Sequence, residues 1–257
     1  MLDLGLKGKV ALVSGGSDGL GRATVARLAA EGAQVAACAR RGDYLQQVVD
    51  QLKEDTGGDI LPITMDVTRV DDCERAVADT IAQYGRLDIL VNNAGASAAG
   101  AFESVTDEAW LADIELKVMG AVRMCRFSLP HLRNAGGGSI VNATIGGAKA
   151  PAAKALPTTV TRAAGINLTK SLANEYAADN IRVNTICIGL IKSAQWERRA
   201  GEQSMDDFYA NMAERIPLKR VGEAEEYADL VAYLCSRSGS YITGTSINLD
   251  GGLCAVD

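Results

Sequence analysis

Short apolar runs alternate with longer segments of helical spacing in the first 95 residues. The runs have the length of buried strands, and the segments between them place apolar residues every three or four positions, as amphipathic helices do. The predicted strands are 9–14, 34–39, 60–65 and 87–92, and the predicted helices are 20–31, 44–54 and 73–84. Strands joined by single helices pair in parallel through right-handed crossovers, so this half predicts a βαβαβαβ unit.

The second half continues the alternation with longer helices. The predicted helices are 107–134, 158–178 and 223–236, and the predicted strands are 139–143, 182–188 and 246–249. Together with the first half, this pattern predicts an α/β fold: a Rossmann-type, doubly wound, seven-stranded parallel sheet with helices on both faces.

No linker, repeat or low-complexity block interrupts the 257 residues, so we expect 1–257 to form a single domain. Within it, we expect 1–95 to bind a dinucleotide and 96–257 to bind the substrate. The polar segment 193–217 follows the sixth strand and would lie over the carboxyl ends of the sheet, where open α/β folds bind ligands. It is interpreted as a flap that covers the substrate, although a surface helix pair fits the same composition.

Charge and cysteine content exclude several classes of function. The net charge is −6 and the basic residues are scattered, which argues against a nucleic-acid partner. Six widely spaced cysteines and one histidine predict reduced thiols and no metal site. No apolar stretch approaches the ~20 residues that a membrane helix requires, and no signal peptide precedes the first strand. We therefore expect a cytoplasmic protein with no membrane partner.

A glycine-rich loop joins the first predicted strand to the first predicted helix. Its sequence is Ser14-Gly15-Gly16-Ser17-Asp18-Gly19-Leu20-Gly21. Glycines at these positions let the turn tighten and let the backbone approach a pyrophosphate, whose charge is favoured at a helix N-terminus. Its place between strand and helix in a βαβ unit predicts a dinucleotide site.

The chain resembles the short-chain dehydrogenase/reductase family. The glycine spacing is that family's G-x-x-x-G-x-G, and further motifs match along nearly the whole chain. These motifs are Asp66-Val67, Asn92-Asn93-Ala94-Gly95, Ile181-Arg182-Val183-Asn184, Gly189 with Ser193, and Thr243-Gly244 with Asp250-Gly251-Gly252. The resemblance implies an NAD(P)-dependent oxidoreductase acting on a small carbonyl, alcohol or imine, assembled as a homotetramer or homodimer.

The resemblance also implies a set of cofactor contacts. They are Gly15, Ser17, Asp18, Gly19, Leu20, Gly21, Arg40, Arg41, Asp66, Val67, Asn93, Ala94, Gly95, Arg162, Gly189, Ile191 and Ser193. NAD-specific relatives carry an acidic residue after the second strand, where this chain has Arg40 and Arg41. A guanidinium pairs bidentately with a 2′-phosphate, so NADP(H) is favoured over NAD(H). Asp18 opposes this preference, because many NADP-dependent relatives carry a basic residue there.

The family's catalytic Asn, Ser, Tyr and Lys are all replaced, which makes this chain an atypical member. Thr158 stands at the Tyr position and Arg162 at the Lys position. Lys117 aligns with the Asn, and either Ile145 or Thr144 aligns with the Ser. An aliphatic hydroxyl ionises far above neutral pH, so Thr158 by itself is no general acid.

Lys117 is the favoured substitute for the missing acid. Arg162 would lower the pKa of Lys117 by like-charge repulsion, since an arginine keeps its proton. The competing interpretation is a surface pair with Asp113, four residues earlier. Three functions stay open: an NADP-dependent oxidoreductase with a displaced acid, a non-redox lyase or isomerase, and a cofactor-binding protein without turnover.

Overall fold

Seven parallel strands form one sheet in the order β3-β2-β1-β4-β5-β6-β7. The computed structural model describes residues 3–193, 196 and 204–256. The strands are β1 Val10–Ser14, β2 Gln34–Ala39, β3 Ile60–Thr64, β4 Ile89–Asn92, β5 Gly138–Ile145, β6 Ile181–Ile188 and β7 Ser246–Leu249. The predicted seven-stranded, doubly wound parallel sheet is confirmed.

Eight α-helices connect the strands within the described residues. They are α1 Gly19–Ala30, α2 Gly42–Thr56, α3 Val70–Tyr84, α4 Asp107–Ile114, α5 Gly120–Asn134, α6 Thr158–Tyr176, α7 Met205–Ala213 and α8 Ala224–Cys235. Short 3-10 turns cover Phe102–Ser104, Gly146–Ala148, Ala177–Asp179 and Arg237–Gly239.

Successive side chains of β1 point to opposite faces of the sheet and pack into the apolar clusters on both sides of it. Ala11 and Val13 belong to the apolar cluster that packs under α1, α2 and α8, whereas Val10 and Leu12 belong to the cluster under α3 and α5. All four side chains are fully buried. A strand covered on both faces reads as a continuous apolar run, which is why the sequence pattern identified it.

The helical pattern at 107–134 differs from one regular helix. The chain turns helically throughout, but a π-helical turn, Glu115–Met119, separates α4 from α5. Such a turn adds one residue to the helix and is common at functional sites, and the sequence pattern did not reveal it. Lys117 lies in the middle of this turn.

The predicted flap 193–217 lies partly outside the described residues, at 194–195 and 197–203. Its described part contains α7, and Ile216 near its end has a buried side chain. Ile216 is 1% exposed, and a Cβ at Gly251 would lie 2.7 Å from its Cγ2. The end of the segment is therefore packed on the turn that follows β7.

Two further findings concern the described part of the chain. None of its helices is long and apolar enough to cross a membrane. Its His, Cys, Asp and Glu side chains form no group of three or more that is arranged to hold a metal ion.

A buried carboxylate ties the amino ends of β1 and β4 together. Asp88 accepts hydrogen bonds from the backbone N–H of Val10 at 3.0 Å, from Lys9 Nζ at 3.0 Å, and from Arg86 Nη2 at 2.6 Å. Burial by itself would raise the pKa of Asp88, but these donors outweigh it and the pKa is lowered.

We expect Asp88→Asn to lower the free energy of unfolding by roughly 2 kcal/mol at pH 7. The folded pKa of Asp88 lies below its unfolded value, so the ionised carboxylate contributes its whole stabilisation of the folded state at neutral pH. It is lost as the pH falls through the folded pKa, and the two proteins should then converge in stability. Urea unfolding at pH 7 and at acid pH measures the free energy of unfolding of both proteins. Asp50→Asn, on the exposed face of α2, is the control. An equal difference at both pH values would contradict it.

Candidate active site

The glycine loop after β1 approaches the end of β4 closely. Gly15 has a φ of +72°, and a Cβ there would lie 3.1 Å from Ala94 Cα. A Cβ at Gly21 would overlap the carbonyl oxygen of Gly15. Only glycine fits these two positions, so the loop backbone is left open toward a ligand.

Hydrogen bonds hold the glycine loop and the segment after β4 together. Ser14 Oγ accepts from the N–H of Asn93 at 3.1 Å and of Ala94 at 3.2 Å. Asn93 Nδ2 returns two bonds, to the carbonyl oxygens of Ser14 and Gly15, each at 3.3 Å. The two motifs predicted to contact the cofactor therefore form one structural unit.

The remaining predicted cofactor residues line the same edge of the sheet. Ser193 lies over the loop, because a Cβ at Gly19 would be 3.5 Å from its Cβ. Val67 packs against Gly120, and Asp66 Oδ1 accepts from the N–H of Thr68 at 2.9 Å. Ser17 and Ile191 are buried, Leu20 is half-buried, and Gly189 packs against Asp250.

The two arginines after β2 have different surroundings. Arg41 Nη2 lies 2.5 Å from Asp18 Oδ2, and its guanidinium stacks 4.2 Å from the ring centre of Tyr44. Arg40 is exposed and makes no polar side-chain contact within the described residues. Of the pair, only Arg40 has a guanidinium that is not already engaged.

Lys117 and Thr158 meet in a buried hydrogen bond. Lys117 Nζ donates to Thr158 Oγ1 at 2.9 Å, and the lysine side chain is fully buried. The backbone N–H of Ala98 also donates to Thr158 Oγ1, at 3.0 Å. With two donors on its oxygen, the hydroxyl proton of Thr158 finds no acceptor among the described residues.

Asp113 compensates the charge of the buried Lys117 and links this lysine to α6. Asp113 Oδ1 lies 2.5 Å from Lys117 Nζ, and Oδ2 accepts from Thr161 Oγ1 at 2.7 Å. The predicted pair with Asp113 exists, but it is buried, not on the surface. The same ammonium contacts both Asp113 and Thr158, so this pairing does not turn Lys117 away from the candidate site.

Arg162 brings a second cation into the site. Its Nη1 donates to the carbonyl oxygen of Ala143 at 2.6 Å, and its Nη2 lies against Gly95, where a Cβ would overlap it. Its buried Nε finds no hydrogen-bond partner in the described part of the protein. Arg162 therefore contacts both β5 and the segment predicted to hold the cofactor.

Burial is the main cause that lowers the pKa of Lys117, and the positive charge of Arg162 lowers it further. The hydrogen bond and the charge of Asp113 act in the opposite direction without cancelling the shift. A lysine shifted in this way releases its proton more easily than an exposed one.

The two candidates for the Ser position are differently placed. Thr144 is buried, and its hydroxyl lies 3.2 Å from Cys187 Sγ and 3.4 Å from the carbonyl oxygen of Ile186. Ile145 is half-buried at the end of β5 and carries no polar group. The Thr144 hydroxyl is thus engaged with strand β6.

Three further lysines, Lys149, Lys154 and Lys192, lie in loops and are placed differently from Lys117. Lys149 Nζ donates to the carbonyl oxygen of Ser246 at 2.7 Å and to Asn248 Oδ1 at 2.8 Å, so it fastens the end of β5 to β7. Lys192 pairs with Glu223 at 2.5 Å, and Lys154 is exposed. Lys117 is therefore the stronger candidate for chemistry.

A small cavity lies between these groups. Its volume is about 20 Å³, enough for about one water molecule. Its lining includes Ser14, Asn92, Lys117, Asn142, Thr144 and Arg162. The cavity joins the glycine-loop side of the site to the cationic side.

Comparison with known proteins identifies the family. Residues 15–254 match the family described as enoyl-(acyl carrier protein) reductase. The human dehydrogenase/reductase SDR family member 4 is 37% identical over 255 residues, covering 96% of this chain and 88% of its own length. The chain belongs to the short-chain dehydrogenase/reductase family.

Two solved structures are similar to this chain over nearly its whole length. The L-sorbose reductase of Gluconobacter frateurii, complexed with NADPH and L-sorbose, has a TM-score of 0.95 at 35% identity and full coverage of both chains. A short-chain oxidoreductase of Pseudomonas aeruginosa, described as NADPH-bound with an atypical catalytic center, has a TM-score of 0.93 at 35% identity, covering 97% of this chain and 98% of its own. The expected family and its oxidoreductase class are confirmed.

Sequence reasoning on this short-chain family member missed Thr161 and the backbone N–H of Ala98. Thr161 follows Thr158 by three residues and shares its helix face, so helical spacing is the signal that would have found it. The Ala98 contact joins residues 60 positions apart and has no local signal.

We expect Asp113→Asn to lower the free energy of unfolding by about 3 kcal/mol, because it leaves Lys117 and Arg162 buried without an acid. The same change in a Lys117→Met background should cost much less, since the uncompensated ammonium is then absent. Urea unfolding of the four proteins of this cycle measures the difference. Equal losses of unfolding free energy in the two backgrounds would show that the Asp113 carboxylate does not compensate the charge of Lys117.

Proposed function

We propose that this chain is an NADP(H)-dependent oxidoreductase for a small carbonyl, alcohol or imine, in which Lys117 and Thr158 replace the family's usual proton relay. The observation that carries the proposal is the 2.9 Å hydrogen bond from Lys117 Nζ to Thr158 Oγ1, buried beside the glycine loop. The roles assigned below to individual residues are part of this proposal.

A bound nicotinamide cofactor would supply or accept the hydride at the substrate carbon. In the reducing direction, Thr158 donates its hydroxyl proton to the substrate oxygen. The ammonium of Lys117 donates a proton to Thr158 Oγ1 at the same time, so the threonine never carries a full charge. Lys117 is left neutral and recovers its proton through the water-sized cavity that it lines.

The neighbours of Lys117 suit this transfer. Burial and the charge of Arg162 lower the pKa of Lys117, which favours release of its proton. Asp113 keeps the ammonium in place, and the Ala98 N–H stabilises charge on Thr158 Oγ1. Arg162 stands where the family's lysine holds the nicotinamide ribose and supplies the same positive charge.

The preference for NADP(H) is supported by Arg40, whose exposed guanidinium stands after β2 without a competing partner in the described part of the chain. It is also supported by the two solved relatives, whose structures contain NADPH. The Pseudomonas aeruginosa protein, with its atypical catalytic center, supports the idea that members of this family work without the usual residues.

A second candidate is a cofactor-binding protein without turnover. It is favoured by the Ala98 N–H, which covers Thr158 from outside, and by the cavity of only about 20 Å³. A reductase needs the segment around Ala98 to move when the substrate enters. Consumption of NADPH that depends on a carbonyl substrate separates the two candidates.

We expect Lys117→Met and Thr158→Val each to lower turnover about 100-fold while the dissociation constant for NADPH changes little. The double variant should be scarcely worse than either single variant, because both residues serve one proton path. NADPH absorbance with a panel of small ketones, aldehydes and cyclic imines measures turnover, and fluorescence titration measures binding. Lys53→Met, on the exposed face of α2, is the matched control.

The pH dependence adds an independent readout. Reduction needs the protonated lysine, so kcat/KM should fall as the pH rises through the pKa of Lys117. Asp113→Asn removes the group that raises this pKa, so the fall should move to lower pH. Unchanged turnover in Lys117→Met would rule out the relay, and absence of turnover from every protein with intact NADPH binding would favour the second candidate.

We also propose that the protein is a cytoplasmic homotetramer or homodimer formed as one domain, with 1–95 for the dinucleotide and 96–257 for the substrate. Besides Arg126 and Arg133, a groove of about 280 Å³ between α5 and α6 is lined by apolar side chains of both helices. They are Val122, Leu129, Leu168, Leu172 and Tyr176. This groove supports the proposal, because exposed apolar surface of this kind is typical of an interface between chains.

Light scattering at micromolar concentration should give a mass of two or four times 26.9 kDa. Leu168→Glu should lower this mass, because it places a charge in the groove between α5 and α6. Asp50→Asn, which is remote from that groove, should leave the mass unchanged. A mass of one chain for the unmodified protein would contradict the proposed assembly.

A further inference from the structure

The guanidinium of Arg123, on α5, is a buried cation that the proposed proton path does not use. Its side chain is only 9% exposed. Nη1 donates to the carbonyl oxygens of Val67 at 3.3 Å and of Thr68 at 3.1 Å, and it lies 2.7 Å from Glu115 Oε2. Since Nη1 carries two protons, the three acceptors share them, and the group is held from three sides.

These acceptors come from two segments that are distant in sequence. Val67 is one of the predicted cofactor contacts and Thr68 follows it, whereas Glu115 is the first residue of the π-helical turn. Lys117 is the third residue of that turn. With one side chain, Arg123 therefore joins the turn that carries Lys117 to the segment that follows β3.

The far end of the π-helical turn packs on the same segment. A Cβ at Gly120, the residue directly after the turn, would lie 3.1 Å from Val67 Cβ. Arg123 thus fixes the first residue of the turn, and Val67 fixes the position after its last residue, with Lys117 between them. Because π-helical turns are rare and usually only one turn long, we expect their geometry to depend on such neighbouring contacts.

Arg123 acts on Lys117 through position and not through its charge. Burial is the largest cause of the lowered pKa of Lys117, and the charges that add to it or oppose it are those of Arg162 on α6 and Asp113 on α4. Burial depends on where the turn lies. A turn released from Arg123 would expose the ammonium to water, which moves the pKa of Lys117 toward that of an exposed lysine.

We propose that Arg123 is a positioning residue, which holds the π-helical turn and Lys117 against the segment that follows β3. The inference rests on the proposed function, in which Lys117 Nζ has to reach Thr158 Oγ1. A displacement of about 1 Å within such a site costs up to roughly 100-fold in rate. Arg123 thereby controls how well the proton path is assembled without taking part in it.

The first variant is Arg123→Met, which keeps the apolar stem of the side chain and removes its hydrogen-bond donors. The titration of Lys117 should move to higher pH, since the ammonium becomes less buried. It is followed by NMR on protein whose lysines carry ¹³C at Cε, and Lys117→Met assigns the signal. Turnover of the carbonyl substrate should fall about tenfold, with a smaller change in KM.

Two further variants separate positioning from a loss of folding. Arg123→Lys keeps a charged donor and should restore part of both effects, because an ammonium reaches fewer acceptors than a guanidinium. Glu115→Gln alters the contact with the turn alone, at a side chain that is 46% exposed, and should shift Lys117 in the same direction by less. In the Arg123→Met background, Glu115→Gln should add nothing. If Arg123→Met does not fold, Glu115→Gln and Arg123→Lys carry the test.

Arg75→Met is the matched control. Arg75, on α3, donates to the carbonyl oxygen of Thr64 at 2.9 Å and to Asp72 Oδ1 at 3.1 Å. These hydrogen bonds also fasten the end of β3 through an arginine, but they do not involve the π-helical turn. Arg75→Met should leave the titration of Lys117 and the turnover unchanged.

Cofactor binding supplies a further readout. Asp66 N–H donates to Asp72 Oδ2 and Thr68 N–H donates to Asp66 Oδ1, each at 2.9 Å, so the segment after β3 keeps its local hydrogen bonds in Arg123→Met. The dissociation constant for NADPH should therefore rise by no more than about threefold. Loss of NADPH binding with an unchanged Lys117 titration would overturn the proposal, because Arg123 would then serve the cofactor segment alone.

The NMR titration keeps this inference separate from the proposed function. An unchanged Lys117 titration in folded Arg123→Met, or an equal shift in Arg75→Met, would overturn the positioning role even if Lys117→Met abolishes turnover. If Lys117→Met leaves turnover unchanged, the proton relay fails, whereas a shifted Lys117 titration in Arg123→Met still shows that Arg123 positions the lysine.

Discussion

The ammonium of Lys117 has to be compensated inside the protein, and much of the candidate site follows from that requirement. A lysine without access to water is tolerated only with partners for its charge and its three donor protons. Asp113 meets the first need, and Thr158 accepts a hydrogen bond. Thr161 then holds the second oxygen of Asp113, so that α6 becomes part of the lysine's surroundings.

The π-helical turn and the sheet topology bring these partners within reach. The turn Glu115–Met119 carries Lys117 into the space between α4 and α6. The strand order places β4 between β1 and β5, so the segment after β4 lies between the glycine loop and the end of β5. Arg162 spans this junction, because it contacts Ala143 on one side and Gly95 on the other.

The two ends of the candidate site use similar pairs with different energetic consequences. At the exposed end, Asp18 holds Arg41 in water, where the pair is screened and a competing anion can separate it. At the buried end, Asp113 holds Lys117 with almost no exposure, where loss of the partner leaves a charge that water cannot solvate. The first pair is therefore easily separated, whereas the second has a fixed geometry and contributes to the altered pKa of Lys117.

The order of strands and helices was predictable from the sequence, because burial on both faces makes each strand a short apolar run and local spacing identifies the helices. The glycine loop was equally visible, since its conformation depends on neighbouring residues. The four positions proposed to align with the family's catalytic residues were also chosen from motif spacing along the chain. All of these signals are local in sequence.

The surroundings of each charged group depended on the tertiary structure. Asp113 and Lys117 are four residues apart, and their spacing fits a surface pair as well as a buried one. Packing of α6 buries them, and it brings in Thr158, which is 41 residues from Lys117. Arg41 meets Asp18 across 23 residues because β1 and β2 are neighbours in the sheet. The sequence determined which charges this protein carries, but the packing of distant segments decided which of them are paired, because burial and partner distance set the energy of a charge and neither is a local property.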